Sequence, residues 1–146
     1  MREKAIILLV EDNRMDIELT LDAFREARLE NDIRVVTTGE AALDYLLARG
    51  DYSDRENHPI PSLVLLDLKL PGISGIDVLR TLKQTPVLKR LPVIILTSSK
   101  EEADRIAGYD YGVNSYLVKP ISFPGFLEVV KTISEYWLTL NVAAPL

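Results

Sequence analysis

Five short apolar runs, Ala5 to Val10, Ile33 to Val36, Leu63 to Leu66, Val93 to Leu96 and Ser115 to Val118, recur along the 146 residues with helix-patterned segments between them. No other feature of the chain constrains the fold as strongly. Each run has the length of a strand and little polar content, as expected of a strand covered on both faces. Parallel strands need crossover connections, which helices supply with one hand. The alternation therefore implies an α/β domain: a doubly wound five-stranded parallel sheet with five helices.

The helical segments carry their own punctuation. Arg14 to Glu30 sets Ile17, Leu21 and Phe24 on one stripe, and Glu40 to Arg49 carries Ala42, Leu43, Leu46 and Leu47 before stopping at Gly50. Asp12 or Asn13 is placed to cap the first of these. Ser74 with Asp77 reads as a capping box opening a helix through Ile76, Leu79 and Leu82. Ser98 or Ser99, with Glu101 and Glu102, is expected to open the next, closing near Gly112. The last helix is expected from about Phe123 to Leu140. Its stripe of Phe126, Val130, Ile133, Trp137 and Leu140 is widened by Leu127, Val129, Tyr136 and Leu138. One side of such a helix can cover the sheet while the other serves a partner, most simply in a symmetric homodimer.

Composition narrows the class. At 146 residues, 47% hydrophobic and 27% charged, the chain fits one globular domain over residues 1 to 146. The absence of cysteine excludes disulfides and thiolate metal sites and fits a reducing cytoplasm. A net charge of -5 argues against broad nucleic-acid or anionic-membrane binding. The early apolar run ends at Glu11-Asp12, too short for a signal peptide or a membrane span, so a soluble cytoplasmic protein is expected.

The residues that follow each strand carry the chemistry. Glu11 and Asp12 follow the first run, Asp67 the third, Thr97 and Ser98 the fourth, and Lys119-Pro120 the fifth. In open α/β sheets ligands bind outside the carboxyl ends of the strands, so four separate segments would meet at one edge. Taken singly, each residue has a plain structural role as a cap, a surface charge or a core aromatic. Together they form a complementary set. Crowded carboxylates repel one another and call for a cation, and hard oxygen donors suit Mg2+. A carboxylate can attack phosphorus to give an aspartyl phosphate, with Lys119 as a second cation and the Thr97 hydroxyl as a donor.

This set resembles the receiver domains of two-component response regulators over about residues 5 to 137. The resemblance rests on Glu11-Asp12, on Asp67-Leu68-Lys69-Leu70-Pro71-Gly72-Ile73-Ser74-Gly75, on Thr97-Ser98 and on Tyr116-Leu117-Val118-Lys119-Pro120. It implies a CheY-like, flavodoxin-like fold. It further implies Asp67 as phosphoacceptor, with Glu11, Asp12, Asp67 and the Lys69 main-chain carbonyl as magnesium ligands, and Lys119 contacting the phosphoryl group. Thr97 and Tyr116 would be the switch pair, and Lys119-Pro120 a cis peptide. The side chains of Lys69 and Ser99 are expected near the phosphoryl group, where they affect its lifetime.

A narrower resemblance concerns the long connection Gly50 to Pro61, GDYSDRENHPIP, and the ending ISEYWLTL. Both look like the stand-alone receivers that partner bacterial and cyanobacterial phytochrome histidine kinases. His58, the only histidine, is expected to be solvated rather than a ligand.

Three other functions fit less well. A flavodoxin-like cofactor binder would present a hydroxyl- and glycine-rich phosphate loop where Glu11-Asp12 stand. A dehalogenase-type phosphatase calls for an acid two residues after the nucleophile, where Lys69 stands. A DNA-binding regulator needs an output module, and only the tail Asn141 to Leu146 follows the last helix. The expectation is a phosphorylation-dependent signalling switch rather than a metabolic enzyme. It would be phosphorylated by a histidine kinase and would change its surface on the fourth helix, fifth strand and final helix. A phosphorylation-independent interaction module of the same fold is the alternative.

Overall fold

The computed structural model describes residues 6–27, 32–98, 101–113, 115–119 and 122–133. In chain order they form β1 (Ile6–Val10), α1 (Arg14–Glu26), β2 (Asp32–Val36), α2 (Gly39–Leu46), a 3-10 turn (Gly50–Tyr52), β3 (Leu63–Leu66), α3 (Gly75–Gln84), β4 (Val93–Thr97), α4 (Glu102–Asp110), β5 (Ser115–Val118) and α5 (Phe123–Ile133). The sheet order is β2-β1-β3-β4-β5, with every neighbouring pair parallel. From β1 the chain runs outward to β2 and then returns to β3 on the opposite side of β1. The switch point therefore lies between the ends of β1 and β3.

Alternation along the strands sorts the core into two layers. Leu8, Val10, Val64, Leu66, Val93 and Ile95 face α2 and α3, packing with Ala42, Leu46, Val78, Leu79 and Leu82. Ile7, Leu9, Leu63, Leu65, Ile94 and Leu96 face the other way, onto Ala23 and Phe24 of α1 and Phe126, Val130 and Ile133 of α5. This double burial explains why the three central strands read as unbroken apolar runs. Among the described residues no helix is long and apolar enough to cross a membrane.

Several helix ends differ from the sequence expectation for local reasons. Asn13, rather than Asp12, caps α1, its side chain accepting from the Asp16 N–H. Helix α1 ends at Glu26, short of the expected Glu30; residues 28 to 31 lie outside the described residues. Helix α2 ends at Leu46, not at Arg49. The Ala48 N–H donates to the Tyr45 carbonyl and the Arg49 N–H to the Asp44 carbonyl, with Ala48 left-handed at φ 54°. That double bond pattern closes a helix around a left-handed residue, a place glycine usually takes, so Gly50 was a misleading stop signal. Ser74 caps α3 as expected, accepting from the Asp77 N–H while its hydroxyl donates to the Asp77 carboxylate. Helix α4 starts later than Ser98 or Ser99, with Glu101 at its N-cap. Ser99, Pro120 and the residues beyond Ile133, including Tyr136, Trp137, Leu138 and Leu140, lie outside the described residues, as does the expected cis peptide.

The long 50–61 connection is built rather than loose. Arg55 donates from Nη1 to the Tyr45 and His58 carbonyls at 2.9 and 3.3 Å, and from Nη2 to the Leu46 carbonyl. The Tyr45 hydroxyl reaches the Pro59 carbonyl at 2.9 Å, and Arg34 of β2 reaches the Asn57 carbonyl. His58, expected to be solvated, is half-buried. Its ring stands edge-on to Tyr45 and Tyr52 at 5.8 and 5.2 Å, with Nδ1 buried and without a hydrogen-bond partner among the described residues. No metal site forms around it: among the described residues the clustering of metal-ligating groups is confined to Glu11, Asp12 and Asp67. Arg55→Ala should remove the clamp on the last carbonyls of α2, at a cost of about 1–2 kcal/mol read from thermal unfolding. Faster amide exchange at Ala48 and Arg49 should accompany the loss.

Candidate functional site

At the switch point the two central strands each end in a buried acid. The Glu11 N–H still donates to the Val36 carbonyl and the Asp67 N–H to the Val10 carbonyl, so both acids are held in register with the sheet. Close packing fixes the approach behind Asp67. A Cβ on Gly75 would meet the Asp67 carbonyl oxygen and the Leu68 Cα, so only glycine lets α3 start this close to the site. The Gly75 N–H bonds the Leu68 carbonyl at 3.0 Å.

One carboxylate oxygen from each of Glu11, Asp12 and Asp67 lies within 4.8 Å of the others. From the far side of the sheet edge, Lys119 extends its ammonium into the group. It lies 2.5 Å from Glu11 Oε1, 2.7 Å from Asp16 Oδ2 and 3.2 Å from Asp67 Oδ2. The main chain at Lys119 is fixed by its N–H donating to the Thr97 carbonyl at 2.7 Å, which joins the ends of β4 and β5. Thr97 is buried, and its hydroxyl bonds the Asp67 carboxylate. The Lys69 N–H reaches Asp67 Oδ1 at 3.1 Å, and the Asn13 N–H reaches Glu11 Oε2 at 3.2 Å. Tyr116 is half-buried, with its ring against the layer that contains α2 and α3. A cleft of about 630 Å³ opens over Asp67, lined by Asp12, Asn13, Asp16, Lys69, Ser98 and Lys119.

The electrostatics separate the two buried acids. Burial pushes the Glu11 carboxyl up to about 7; the hydrogen bond from Lys119 opposes the rise and the neighbouring Asp67 reinforces it. Burial pushes Asp67 up as well, but hydrogen bonds from Thr97, Glu11 and the Lys69 N–H, with the charge of Lys119, hold it below the usual carboxylate range. For Lys119, burial works against the ammonium. Contacts with Asp16 and Glu11 and the charge of Asp67 outweigh it, so the lysine stays charged above its ordinary range. One group at the site is thus a charged, cation-flanked carboxylate that opens onto a cleft, and its neighbour is a reluctant acid.

Glu11, Asp12, Asp67, Lys69, Thr97, Ser98 and Lys119, all singled out from the sequence, gather here from four strand ends, while Tyr116 packs against the layer of α2 and α3 and Ser99 lies outside the described residues. Asp16 was missed. It stands in the first turn of α1, where an acid is ordinarily read as complementing the helix dipole. The available signal was its place three residues after the cap Asn13, in the first turn of α1 and so beside the end of β1.

The sequence profile of the response regulator receiver domain matches residues 7–131. The chain belongs to this family. Response regulator Rcp1 of Synechocystis sp. is 40% identical over 133 residues, covering 91% of this chain and 88% of its own. The crystal structure of the phosphorylated cyanobacterial phytochrome response regulator RcpA superposes with a TM-score of 0.87 at 37% identity, over 97% of this chain and 99% of the other. The Mn2+-bound form of Rcp1 superposes with a TM-score of 0.84 at 38% identity, over 96% and 99% of the two chains. The protein is thus a receiver domain of the two-component systems, in which such domains work with histidine kinases, and phytochrome response regulators are among its relatives.

The receiver's donor set fits a divalent cation. Its oxygens are all hard, they carry crowded like charge, and burial drives Glu11 toward its protonated form despite the hydrogen bond from Lys119. Glu11, Asp12, Asp67 and the Lys69 carbonyl are the groups that would hold such an ion.

Proposed function

We propose that this receiver accepts a phosphoryl group on Asp67 from a phosphohistidine of a histidine kinase of the phytochrome type. The observation that carries the reading is the state of Asp67. It is a charged carboxylate at the switch point, 3.2 Å from the Lys119 ammonium, bonded by the Thr97 hydroxyl and open to the cleft. An oxygen of Asp67 attacks phosphorus, the phosphorus–nitrogen bond of the donor breaks, and the imidazole leaves with the electron pair and takes up a proton. Lys119 and the Thr97 hydroxyl then each face a phosphoryl oxygen, and Ser98 and Lys69 stand at the rim. Glu11, Asp12, Asp67 and the Lys69 carbonyl would hold Mg2+, which would supply positive charge to offset the crowded carboxylates and the incoming phosphoryl group.

The added charge of about -1.5 to -2, by analogy with other phosphorylated side chains, draws Thr97 toward the phosphoryl group and lets Tyr116 repack inward. That biases a pre-existing equilibrium toward a second surface on α4, β5 and α5, which takes up a different partner or a second copy of the chain. In this reading the chain is a cytoplasmic switch. It assists its own phosphorylation and hydrolysis and has no separate metabolic activity. The phytochrome-type donor is supported by likeness to phytochrome response regulators along nearly the whole chain.

Intact mass after incubation with acetyl phosphate tests the proposal. A magnesium-dependent phosphoryl adduct should form on the wild type and be absent from Asp67→Asn. Folded wild-type protein that takes up no phosphoryl group would leave a receiver that works by binding alone.

A further inference from the structure

Lys119 has one positive charge, and three carboxylates claim it. Glu11 and Asp67 belong to the site by their position at strand ends. Asp16 does not. It arrives from the first turn of α1, where its N–H is held by the Asn13 side chain and its carbonyl accepts from the Thr20 hydroxyl at 2.8 Å. Both anchors fix the main chain from which the carboxylate reaches Lys119. The Asp16 carboxylate is also the most exposed of the three, at 32%, against 3% for Glu11 and 7% for Asp67. It therefore stands at the mouth of the cleft, while the lysine it binds is 13% exposed.

The distances rank the claims. Lys119 Nζ is 2.5 Å from Glu11 and 2.7 Å from Asp16, but 3.2 Å from Asp67. An ammonium has three donors and can serve all three carboxylates, yet its shorter contacts are directed away from the phosphoacceptor. A phosphoryl group on Asp67 needs that same ammonium, and it also sets new negative charge near Asp16. Moving Lys119 to the phosphoryl group weakens its bond to Asp16, so Asp16 opposes the move twice: by holding the cation and by repelling the incoming charge.

We propose that Asp16 is a positioning residue that parks Lys119 against α1 and so sets how readily the lysine transfers to a phosphoryl group on Asp67. The proposal rests on the phosphoacceptor reading of Asp67. Parking lowers the affinity of the resting site for a phosphoryl group and biases the switch toward its resting form. Position, and not charge alone, is the essential claim, because Asp16 acts through one named cation.

A double-mutant cycle with beryllium fluoride, a phosphoryl analogue, separates these effects. Its dissociation constant is measured by titration in magnesium buffer for wild type, Asp16→Asn, Lys119→Met and the double variant, with melting curves to establish that each is folded at the assay temperature. Asp16→Asn should bind roughly three- to tenfold more tightly than wild type, the range expected when contacting charged groups are coupled. In the Lys119→Met background the same substitution should change the affinity by less than about twofold. Equal gains in both backgrounds would overturn the proposal, because Asp16 would then act only as a like charge at the mouth. No gain in either background would overturn it as well. If the wild type binds no better than Asp67→Asn, the phosphoacceptor reading fails and the proposal falls with it. Wild-type binding that needs Asp67 but ignores Asp16 sinks the positioning role alone.

Discussion

Lys119→Met should destabilise the metal-free protein by about 3–5 kcal/mol at pH 8, the cost of breaking a buried ion pair by removing one partner. Methionine keeps the length and the apolar stem of the side chain, so packing is nearly preserved and the loss is electrostatic. What remains is a set of acids at one sheet edge, two of them buried, with their cation gone. The lysine itself titrates outside the working range. Its folded value is raised, so its contribution is full below the ordinary lysine range and is lost only as pH rises through a still higher value. The pH dependence of this cost between 5 and 8 therefore comes from the acids that contact Lys119. At pH 5 the cost should be smaller, because Glu11 already carries a proton there and one fewer charge is left unpaired. Added Mg2+ at pH 8 should recover part of the loss, since the same oxygens then have another cation. Urea unfolding of wild type and variant, at both pH values with and without chelator, reads all three effects. Equal stability of the two proteins in chelator at pH 8 would mean that water alone satisfies these carboxylates.

Much of this arrangement was legible because its signals are local. The three central strands were readable because burial on both faces leaves no polar alternation to confuse the pattern, and Leu63–Leu66 falls where the apolar run sits. The site was readable because the topology delivers strand ends to one edge, so the residues after each run could be pooled before any distance was known. What escaped was set by contacts distant in sequence. The end of α2 depends on Arg55 reaching back to the Tyr45 and Leu46 carbonyls and on a left-handed Ala48, neither of which has a compositional signature. His58 looked like a loop residue, and its aromatic surroundings come from Tyr45 on α2 and Tyr52 in the 3-10 turn. Asp16 was hidden by an adequate local explanation, the helix dipole, although its larger role is to meet a lysine 103 residues away.

The opposing shifts of the two buried acids lead to the second large effect. Without divalent ions, stability should fall by on the order of 2–3 kcal/mol as pH rises from 5 to 8, and Glu11→Gln should remove most of that slope. Glu11 has a folded value pushed up to about 7 from an ordinary 4.5, so between those limits the folded protein binds a proton that the unfolded chain has released. Stability linked to that proton is fully present below 4.5 and is lost as pH rises through 7. Asp67 is shifted the other way, and its contribution is present above its ordinary value of 3.8 and lost only on further acidification, below this window. The two acids therefore do not cancel between pH 5 and 8. Millimolar Mg2+ should reverse the trend, because an ion at these oxygens competes with the Glu11 proton and binds more tightly once it has gone. Melting temperatures in chelator should thus decline toward pH 8 while those in Mg2+ hold level or rise, and the gap between the curves should open through about pH 7. Glu11→Gln should show a much shallower decline in chelator and a smaller response to the ion. Parallel curves for wild type and variant in chelator would show that Glu11 is already ionised at pH 5, with Lys119 alone sufficient to keep it so.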